Sequence, residues 1–198
     1  MSSIPDIYLA SRSPRRRELL TQIGVEYQLV LPDIPEQRQP AELAETYVCR
    51  LALEKAQAGW LMLDTSVQRP VLGADTVVVV DGEVLEKPRH RADGMAMLAK
   101  LSGRSHQVMT GMALIMGEHR QSQLSISHVT FRATSEEERA NYWATGEPLG
   151  KAGGYAVQGL AAAFISQIEG SYSGIMGLSL FDVAEMLAQQ RIDVFNKN

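Results

Sequence analysis

The sequence predicts an α/β protein in which helices lie on both faces of a mixed β-sheet, arranged as two lobes of one domain over residues 1–198. Two observations lead to this prediction. Short apolar runs typical of strands alternate with longer amphipathic segments typical of helices. A hairpin turn also joins two of the apolar runs, which adds antiparallel pairing to the parallel pairing expected from strand–helix alternation. No linker, internal repeat or low-complexity segment divides the chain.

The N-terminal third predicts two strands and two helices in alternation. The expected elements are a strand at residues 6–10, a helix at 14–23, a strand at 25–34 that ends in a loop around 35–37, and a long helix from Pro40 to about Gly59. The first helix has a favoured N-cap residue in Ser13, and Pro14 suits the first helical turn. Residues 64–70 are expected to form a surface loop.

A β-hairpin is predicted over residues 71–88, VLGADTVVVVDGEVLEKP. Asp81-Gly82 is a typical two-residue hairpin turn, and the four preceding valines predict a central strand covered on both faces. Such a turn pairs residue 80 with 83, and by extension Thr76 with Lys87. Strict alternation places Asp75 on the opposite face, so these three residues cluster only if pairing ends or a bulge intervenes there.

The rest of the chain continues the alternation. The expected elements are a helix at 91–101 capped by Gly103, strands at 106–116 and 123–132, a helix at 136–144 with a Ser135–Glu138 capping box, a glycine-rich loop at 150–159, a strand at 162–168 and a final helix from about 178.

Composition excludes several classes of protein. The net charge of −4 and pI of about 5.6 disfavour a nucleic-acid binder. We expect no membrane partner, because no run of about 18 apolar residues is present. The single cysteine, Cys49, suits a reducing compartment and a packing role, and we expect no signal peptide. We therefore predict a cytoplasmic protein. The four histidines have no zinc-ligand spacing.

Three consecutive arginines in LASRSPRRREL, residues 9–19, stand at the start of the first helix. Each cation there is unfavourable by about 0.3–1 kcal/mol, because the helix dipole already presents positive charge. A phosphate would be bound here by the free N–H groups at the helix start and by the hydroxyls of Ser11 and Ser13. The guanidinium groups of Arg15 and Arg16 would add further donors. The alternative is that the arginines are ordinary surface charges. On the phosphate hypothesis, Arg16→Ala weakens phosphate binding without destabilising the ligand-free protein.

Other polar residues allow two interpretations each. Asp75, in GADT before an apolar strand, is either a partnered buried carboxylate or a solvated loop residue. Lys55 and Glu36 are, taken alone, most simply solvent-exposed. Gln158 could bind a base edge through its amide, and its glycine-rich loop could equally be a tight turn.

Five segments, taken in order, resemble the Maf family of nucleotide pyrophosphatases: LASRSPRR, GADTVVV, LEKP, KAGGYAVQG and GSYSGIMGL. The resemblance covers nearly the whole chain. It implies an α/β fold like that of the inosine triphosphatases with a deep cleft between lobes, and hydrolysis of nucleoside triphosphates to monophosphate and pyrophosphate with Mg²⁺ or Mn²⁺. The chain departs from the family at Ala156, often glycine, and at Ser179, usually proline.

The resemblance also implies roles for individual residues. Asp75 would accept a proton and, with Glu36, hold the metal, while Lys87 would assist catalysis. The phosphates would be bound by Ser11, Ser13, Arg16 and Lys55.

Three positions distinguish subgroups of the family, and here they are Arg15, Thr76 and Gln158, as in proteins resembling dTTP/UTP pyrophosphatase. The function expected is hydrolysis of dTTP and UTP, with removal of non-canonical or excess nucleotides as its role. Two alternatives are a 7-methyl-GTP pyrophosphatase and a non-enzymatic nucleotide-binding regulator of cell division. A homodimer is compatible with such a fold, but no sequence feature establishes one.

Overall fold

The structure is a computed structural model that describes residues 5–64, 66 and 69–195. Within these ranges the elements, in chain order, are β1 (Ile7–Ala10), α1 (Pro14–Gln22), β2 (Tyr27–Leu29), α2 (Ala44–Leu61), β3 (Val71–Val80), β4 (Glu83–Leu85), α3 (Arg91–Leu101), β5 (Ser105–Met116), β6 (His119–Phe131), α4 (Glu136–Ala144), β7 (Ile165–Glu169), α5 (Tyr172–Met176) and α6 (Leu180–Gln189). Short 3-10 helices lie at Ala152–Gly154 and Leu160–Phe164. Residues 65, 67 and 68 of the loop predicted at 64–70 lie outside the described residues.

The strands form a mixed sheet in the order β2-β1-β3-β5-β6-β7, with β4 paired to β3. β1 runs parallel to both β2 and β3, whereas β3–β4 and β6–β7 are antiparallel pairs. β3 therefore lies inside the sheet, and its residues Val77–Val80 are all buried. The predicted α/β class, mixed sheet and central position of the valine-rich strand are confirmed.

The described residues divide into two compact units. Unit 1 holds the residues up to Asp75, together with Thr110–Ser125 and those from Gly177 onward. Unit 2 holds Thr76–Met109 and Ile126–Met176. The chain passes from unit 1 to unit 2 within β3, between Asp75 and Thr76.

In unit 1, α2 packs directly against strand backbone through two glycines. A Cβ atom at Gly73 of β3 would lie 2.3 Å from the carbonyl oxygen of Ala52, and one at Gly111 of β5 would lie 2.4 Å from that of Val48. Atoms cannot approach this closely, so both positions require glycine. α2 is thereby held at a fixed distance from the strands, with its buried residues Leu51, Lys55 and Ala56 on the packed side.

Unit 2 has an aromatic core. Phe131 of β6 contacts Tyr155, His106 and Phe164 at centroid distances of 4.9, 5.2 and 6.1 Å. Tyr142 of α4 adds an edge-to-face contact with Phe164 at 5.4 Å. Edge-to-face packing places the positive edge of one ring against the negative face of another. The side chains of β5, β6 and α4 therefore form one well-defined cluster.

Several predicted boundaries were wrong in the N-terminal third. The strand predicted at 25–34 pairs only over Tyr27–Leu29, because it is an edge strand and is followed by Pro32 and Pro35, which lack N–H donors. The helix predicted from Pro40 begins at Ala44, since Ala41 has a left-handed φ of 60° that no α-helix accommodates.

Further differences occur in the C-terminal half. Residues 160–164 of the predicted strand 162–168 form a 3-10 helix, and the strand follows at Ile165–Glu169. β6 begins at His119 rather than 123, because Gly117, at a φ of 60°, closes a tight hairpin with β5. The short helix α5 was not predicted. The helix at Arg91–Leu101 and the Ser135–Glu138 capping box are confirmed.

Candidate active site

The turn between β1 and α1 brings Ser11 and Arg16 together. Arg16 is buried, and its Nη1 donates to Ser11 Oγ at 3.1 Å while its Nε donates to the carbonyl oxygen of Gly177 at 2.8 Å. The backbone N–H of Ser13 also donates to Ser11 Oγ, at 3.2 Å. Ser13 takes the expected N-cap position, but its hydroxyl makes no capping hydrogen bond. The start of α1 is therefore organised around Ser11 Oγ.

This helix start carries a costly positive charge. Burial lowers the pKa of Arg16, the nearby carboxylates of Asp75 and Glu36 act in the opposite direction, and Arg15 lowers it further. Burial also lowers the pKa of Arg15 itself, against the effect of Glu18. Guanidinium groups stay protonated in proteins, so the lowered pKa values express an electrostatic penalty. A bound anion would relieve that penalty.

The ammonium group of Lys55 forms ion pairs with Glu36 and Asp75, the two acidic residues that the sequence indicated as candidates. Lys55 Nζ, on α2, lies 2.7 Å from Asp75 Oδ1 and 2.6 Å from Glu36 Oε1. The side chains of Lys55 and Asp75 are largely buried, at 11% and 14% exposed, whereas that of Glu36 is 43% exposed. Asp75 is therefore a partnered carboxylate, and Lys55 is not a solvent-exposed helix residue. Unit 1 thus brings together Ser11, Arg16, Glu36, Lys55 and Asp75.

The loop that carries Glu36 is held by the first turns of α2. Tyr47 Oη donates to the Glu36 carbonyl oxygen at 3.1 Å, and Arg50 Nη2 donates to that of Gln37 at 3.0 Å. Arg50 also pairs with both carboxylate oxygens of Glu42, at 2.7 and 2.8 Å. Hydrogen bonds from Arg50 are the largest cause of a Glu42 pKa lowered to about 2. These contacts fix the backbone at Glu36 and directly after it.

Three predicted residues belong to unit 2. Thr76 directly follows Asp75 on β3 and is half-buried, Lys87 is exposed beyond the end of β4, and Gln158 is exposed in the glycine-rich segment. The predicted register is confirmed for the pair Val80–Glu83, and pairing ends at Val78–Leu85. Thr76 and Lys87 therefore lie beyond the paired ladder.

The glycine-rich segment that precedes Gln158 is anchored inside unit 2. The Gly153 N–H donates to the Glu86 carbonyl oxygen at 3.1 Å, and Tyr155 Oη lies 2.8 Å from His106 Nε2. Ala156 does not have a positive φ, so its replacement of the usual glycine introduces no left-handed strain there.

Glu36 and Asp75 supply carboxylate oxygens, a type of ligand that suits Mg²⁺ and Mn²⁺. One carboxylate oxygen of each contacts Lys55 Nζ, so the two carboxylates lie close together. Among residues 5–64, 66 and 69–195, no three histidine, cysteine or acidic residues are grouped to hold a metal ion. Mg²⁺ needs no such group, because one or two carboxylates with substrate phosphates are a common way of binding it. Burial and the nearby Glu45 both raise the pKa of the Cys49 thiol.

Comparison with known protein families matches residues 6–190 to Maf, described as Maf-like protein. The chain belongs to the Maf family. A Maf relative from Alkalilimnicola ehrlichii, named dTTP/UTP pyrophosphatase, is 54% identical over 192 residues, which is 96% of this chain and 95% of the relative. A protein of the same name from Shigella dysenteriae serotype 1 is 52% identical over 182 residues, which is 92% of this chain and 91% of the relative.

Among solved structures, the Staphylococcus aureus Ham1 protein aligns with a TM-score of 0.43 and 15% identity, over 63% of this chain and 71% of that one. None of the helices that the structure describes is long and apolar enough to cross a membrane.

Two sets of supporting residues in this Maf protein could not be predicted from the sequence. The first set holds the Glu36 loop and consists of Arg50, Tyr47 and Glu42. The second is Glu147, whose carboxylate accepts a hydrogen bond from the Leu160 N–H, directly after the glycine-rich segment. The spacing of Glu42 and Arg50, eight residues apart across a helix start, carries no recognisable signal. The acidic residue before Pro148 was likewise indistinguishable from a surface glutamate.

Proposed function

We propose that this Maf protein is a nucleoside triphosphate pyrophosphatase that hydrolyses dTTP and UTP to the monophosphate and pyrophosphate. The observation that carries the proposal is the ion-paired group of Lys55, Asp75 and Glu36, in the same unit as the buried Arg16. Relatives that match over nine-tenths of their length are named for this activity. The role proposed is removal of non-canonical or excess nucleotides in the cytoplasm.

Asp75 is proposed as the general base. Its carboxylate accepts a proton from a water molecule that attacks one phosphorus of the bond between the α and β phosphates. The new P–O bond forms as the bridging P–O bond breaks, and the products are the nucleoside monophosphate and pyrophosphate. Lys55 holds Asp75 in place and contributes positive charge near the phosphates. We assign Lys87 to stabilising the charge that develops on the phosphates.

Phosphate binding is assigned to the start of α1. The Arg16 guanidinium already donates to Ser11 Oγ, and a phosphate oxygen would relieve the cost of its buried charge. Ser11 and Ser13 add hydroxyl donors, and Ser13 Oγ is not used in capping. A divalent cation held by Glu36 and Asp75 would neutralise negative charge on the triphosphate.

Selectivity for pyrimidine nucleotides is assigned to Arg15, Thr76 and Gln158. This assignment rests on the match of these positions to the dTTP/UTP type of the family, and Gln158 has an amide that can both donate to and accept from a base edge.

The test measures pyrophosphate release from dTTP, UTP, CTP, GTP and 7-methyl-GTP, with Mg²⁺ or Mn²⁺. Wild type is compared with Asp75→Asn and with Asp182→Asn, a matched control in α6. We expect selective cleavage of dTTP and UTP, at least about a thousandfold slower in Asp75→Asn and unchanged in Asp182→Asn.

Other outcomes point elsewhere. Preferred cleavage of 7-methyl-GTP would overturn the substrate assignment. Nucleotide binding without turnover in wild type would favour a non-enzymatic regulator. Retained activity in Asp75→Asn would overturn the role of Asp75 while leaving the reaction in place.

A further inference from the structure

The carboxylate of Glu147 collects three hydrogen bonds in unit 2. Tyr142 Oη donates to its Oε1 at 2.8 Å, the Leu160 N–H donates to its Oε2 at 2.8 Å, and the Ala161 N–H donates to its Oε1 at 3.2 Å. The two N–H groups begin the 3-10 helix Leu160–Phe164, where backbone donors lack partners within the helix. Glu147 therefore caps this helix from a position thirteen residues earlier in the chain.

The same contacts stabilise the charged form of this carboxyl group. Burial acts to raise the pKa of Glu147, but the hydrogen bonds from Leu160, Tyr142 and Ala161 outweigh that effect, and the pKa is lowered overall. A carboxylate with three donors is a strong acceptor, because charge-assisted hydrogen bonds are roughly twice as strong as neutral ones.

Gly159 allows the chain to approach this carboxylate closely. A Cβ atom at Gly159 would lie 2.3 Å from Glu147 Oε2, so any other residue there would displace the glutamate. Gly159 directly follows Gln158. The backbone that carries Gln158 is thus pressed against Glu147 on its C-terminal side.

The N-terminal side of the segment is anchored as well. Lys151 Nζ donates to the Glu147 carbonyl oxygen at 2.6 Å, and Tyr155 Oη contacts His106 at 2.8 Å. Between Tyr155 and Gly159, Ala156 and Val157 are buried and Gln158 is exposed. Gln158 is therefore presented outward from a segment fixed at both ends, and the Glu147 carboxylate is the side-chain anchor directly after its C-terminal end.

We propose that Glu147 is a positioning residue that sets base selectivity by holding the backbone on which Gln158 stands. The proposal rests on the role assigned to Gln158 in the proposed function. Glu147 itself does not touch the nucleotide. Its loss releases the N–H groups of Leu160 and Ala161 and lets residues 158–160 move, and a displacement of about 1 Å in a positioning group can cost as much as about 100-fold in rate.

The test compares kcat and KM for dTTP and CTP in wild type, Glu147→Ala, Gln158→Ala and the double variant. We expect both single variants to lose about tenfold in dTTP-over-CTP selectivity, mainly through KM for dTTP, and the double variant to lose little more than either, because residues that act as a unit are non-additive. Glu147→Gln keeps one acceptor oxygen and should recover part of the selectivity. Glu137→Ala removes the same charge from an exposed position on α4 and should match wild type.

The outcomes separate the two proposals. Unchanged selectivity in Gln158→Ala overturns the role of Gln158 in the proposed function, and the positioning role with it. Reduced selectivity in Gln158→Ala but not in Glu147→Ala overturns the positioning role alone, as does a fully additive loss in the double variant. If Glu147→Ala does not fold, Glu147→Gln and Tyr142→Phe carry the test, and wild-type selectivity in both overturns the proposal.

Discussion

Lys55 Nζ lies 2.7 Å from Asp75 Oδ1, in an ion pair whose two side chains are 11% and 14% exposed. Ion pairs at the surface contribute little to stability, but shielded pairs behave differently. Removing one member of a shielded pair leaves the other with an uncompensated charge. The proposed general base and the lysine are therefore coupled in both stability and activity.

Lys55→Met should lower both the free energy of unfolding and the turnover rate. Methionine fills similar space but leaves Asp75 and Glu36 facing each other without the ammonium. Breaking a fully buried pair costs about 3–5 kcal/mol, and we expect less here because Glu36 is 43% exposed. Urea unfolding and pyrophosphate release measure both effects. The control is Lys100→Met, which removes an exposed pair with Glu83 and should cost less than about 1 kcal/mol. Equal stability of the two variants would contradict the prediction.

Arg16→Ala should lower the melting temperature as well as weaken nucleotide binding. The sequence alone suggested that the ligand-free protein would not be destabilised, but the structure gives Arg16 hydrogen bonds to Ser11 and Gly177. Hydrogen bonds to charged groups are worth about 1.5–3 kcal/mol, more than the relief of about 0.3–1 kcal/mol from removing a cation at a helix start. Calorimetry should show a decrease of several degrees. Arg17→Ala, which is half-exposed, is the control, and a melting temperature for Arg16→Ala at or above that of wild type would refute this.

Arg50→Ala should raise the Mg²⁺ concentration needed for half-maximal activity. Arg50 binds the Gln37 carbonyl oxygen and Glu42, and its loss frees the loop that carries Glu36. Arg50→Lys should recover little, because lysine cannot contact both carboxylate oxygens of Glu42 and the carbonyl oxygen together. The measurement is activity against Mg²⁺ at saturating nucleotide. An unchanged Mg²⁺ dependence would show that this clamp does not act through Glu36.

His106 should make the protein less stable in mild acid. Burial lowers the pKa of His106 to about 4, from an ordinary value of 6.5. Between these values the unfolded chain binds more protons, so the free energy of unfolding falls as the pH drops from about 6.5 to about 4 and is unaffected above that window. The full loss is roughly 3 kcal/mol.

Denaturant unfolding at several pH values tests the effect of His106. His106→Gln should remove most of this slope between pH 6.5 and pH 4, whereas His119→Gln, at an exposed position, should retain it. The same slope in both variants would assign the acid sensitivity to other groups.

The sequence correctly predicted those elements whose boundaries depend on residues adjacent in the chain. The β3–β4 hairpin was predicted correctly because Asp81 and Gly82 both adopt the positive φ values that the turn needs, 51° and 75°. The extent of β2 depends instead on which strand it pairs with, which no local pattern reveals. The late start of α2 likewise depends on the single left-handed residue Ala41.

The candidate site shows the same division between local and distant information. Ser11, Arg16 and Asp75 stood out because their charges or hydroxyls contradict the surrounding pattern. Lys55 and Glu36 were indistinguishable from surface residues without the family resemblance. Arg50 and Glu147 have their effect through carbonyl and N–H groups 13 or 14 residues away along the chain, and such pairings are visible only in the folded chain.

The two glycines beneath α2 bear on how this protein could be re-engineered. With Gly73 and Gly111 in contact with its carbonyl groups, the helix cannot be shifted to enlarge the space around Lys55 without rebuilding two strands. Libraries aimed at new nucleotide substrates should therefore leave residues 44–61 unchanged and vary exposed side chains such as that of Gln158.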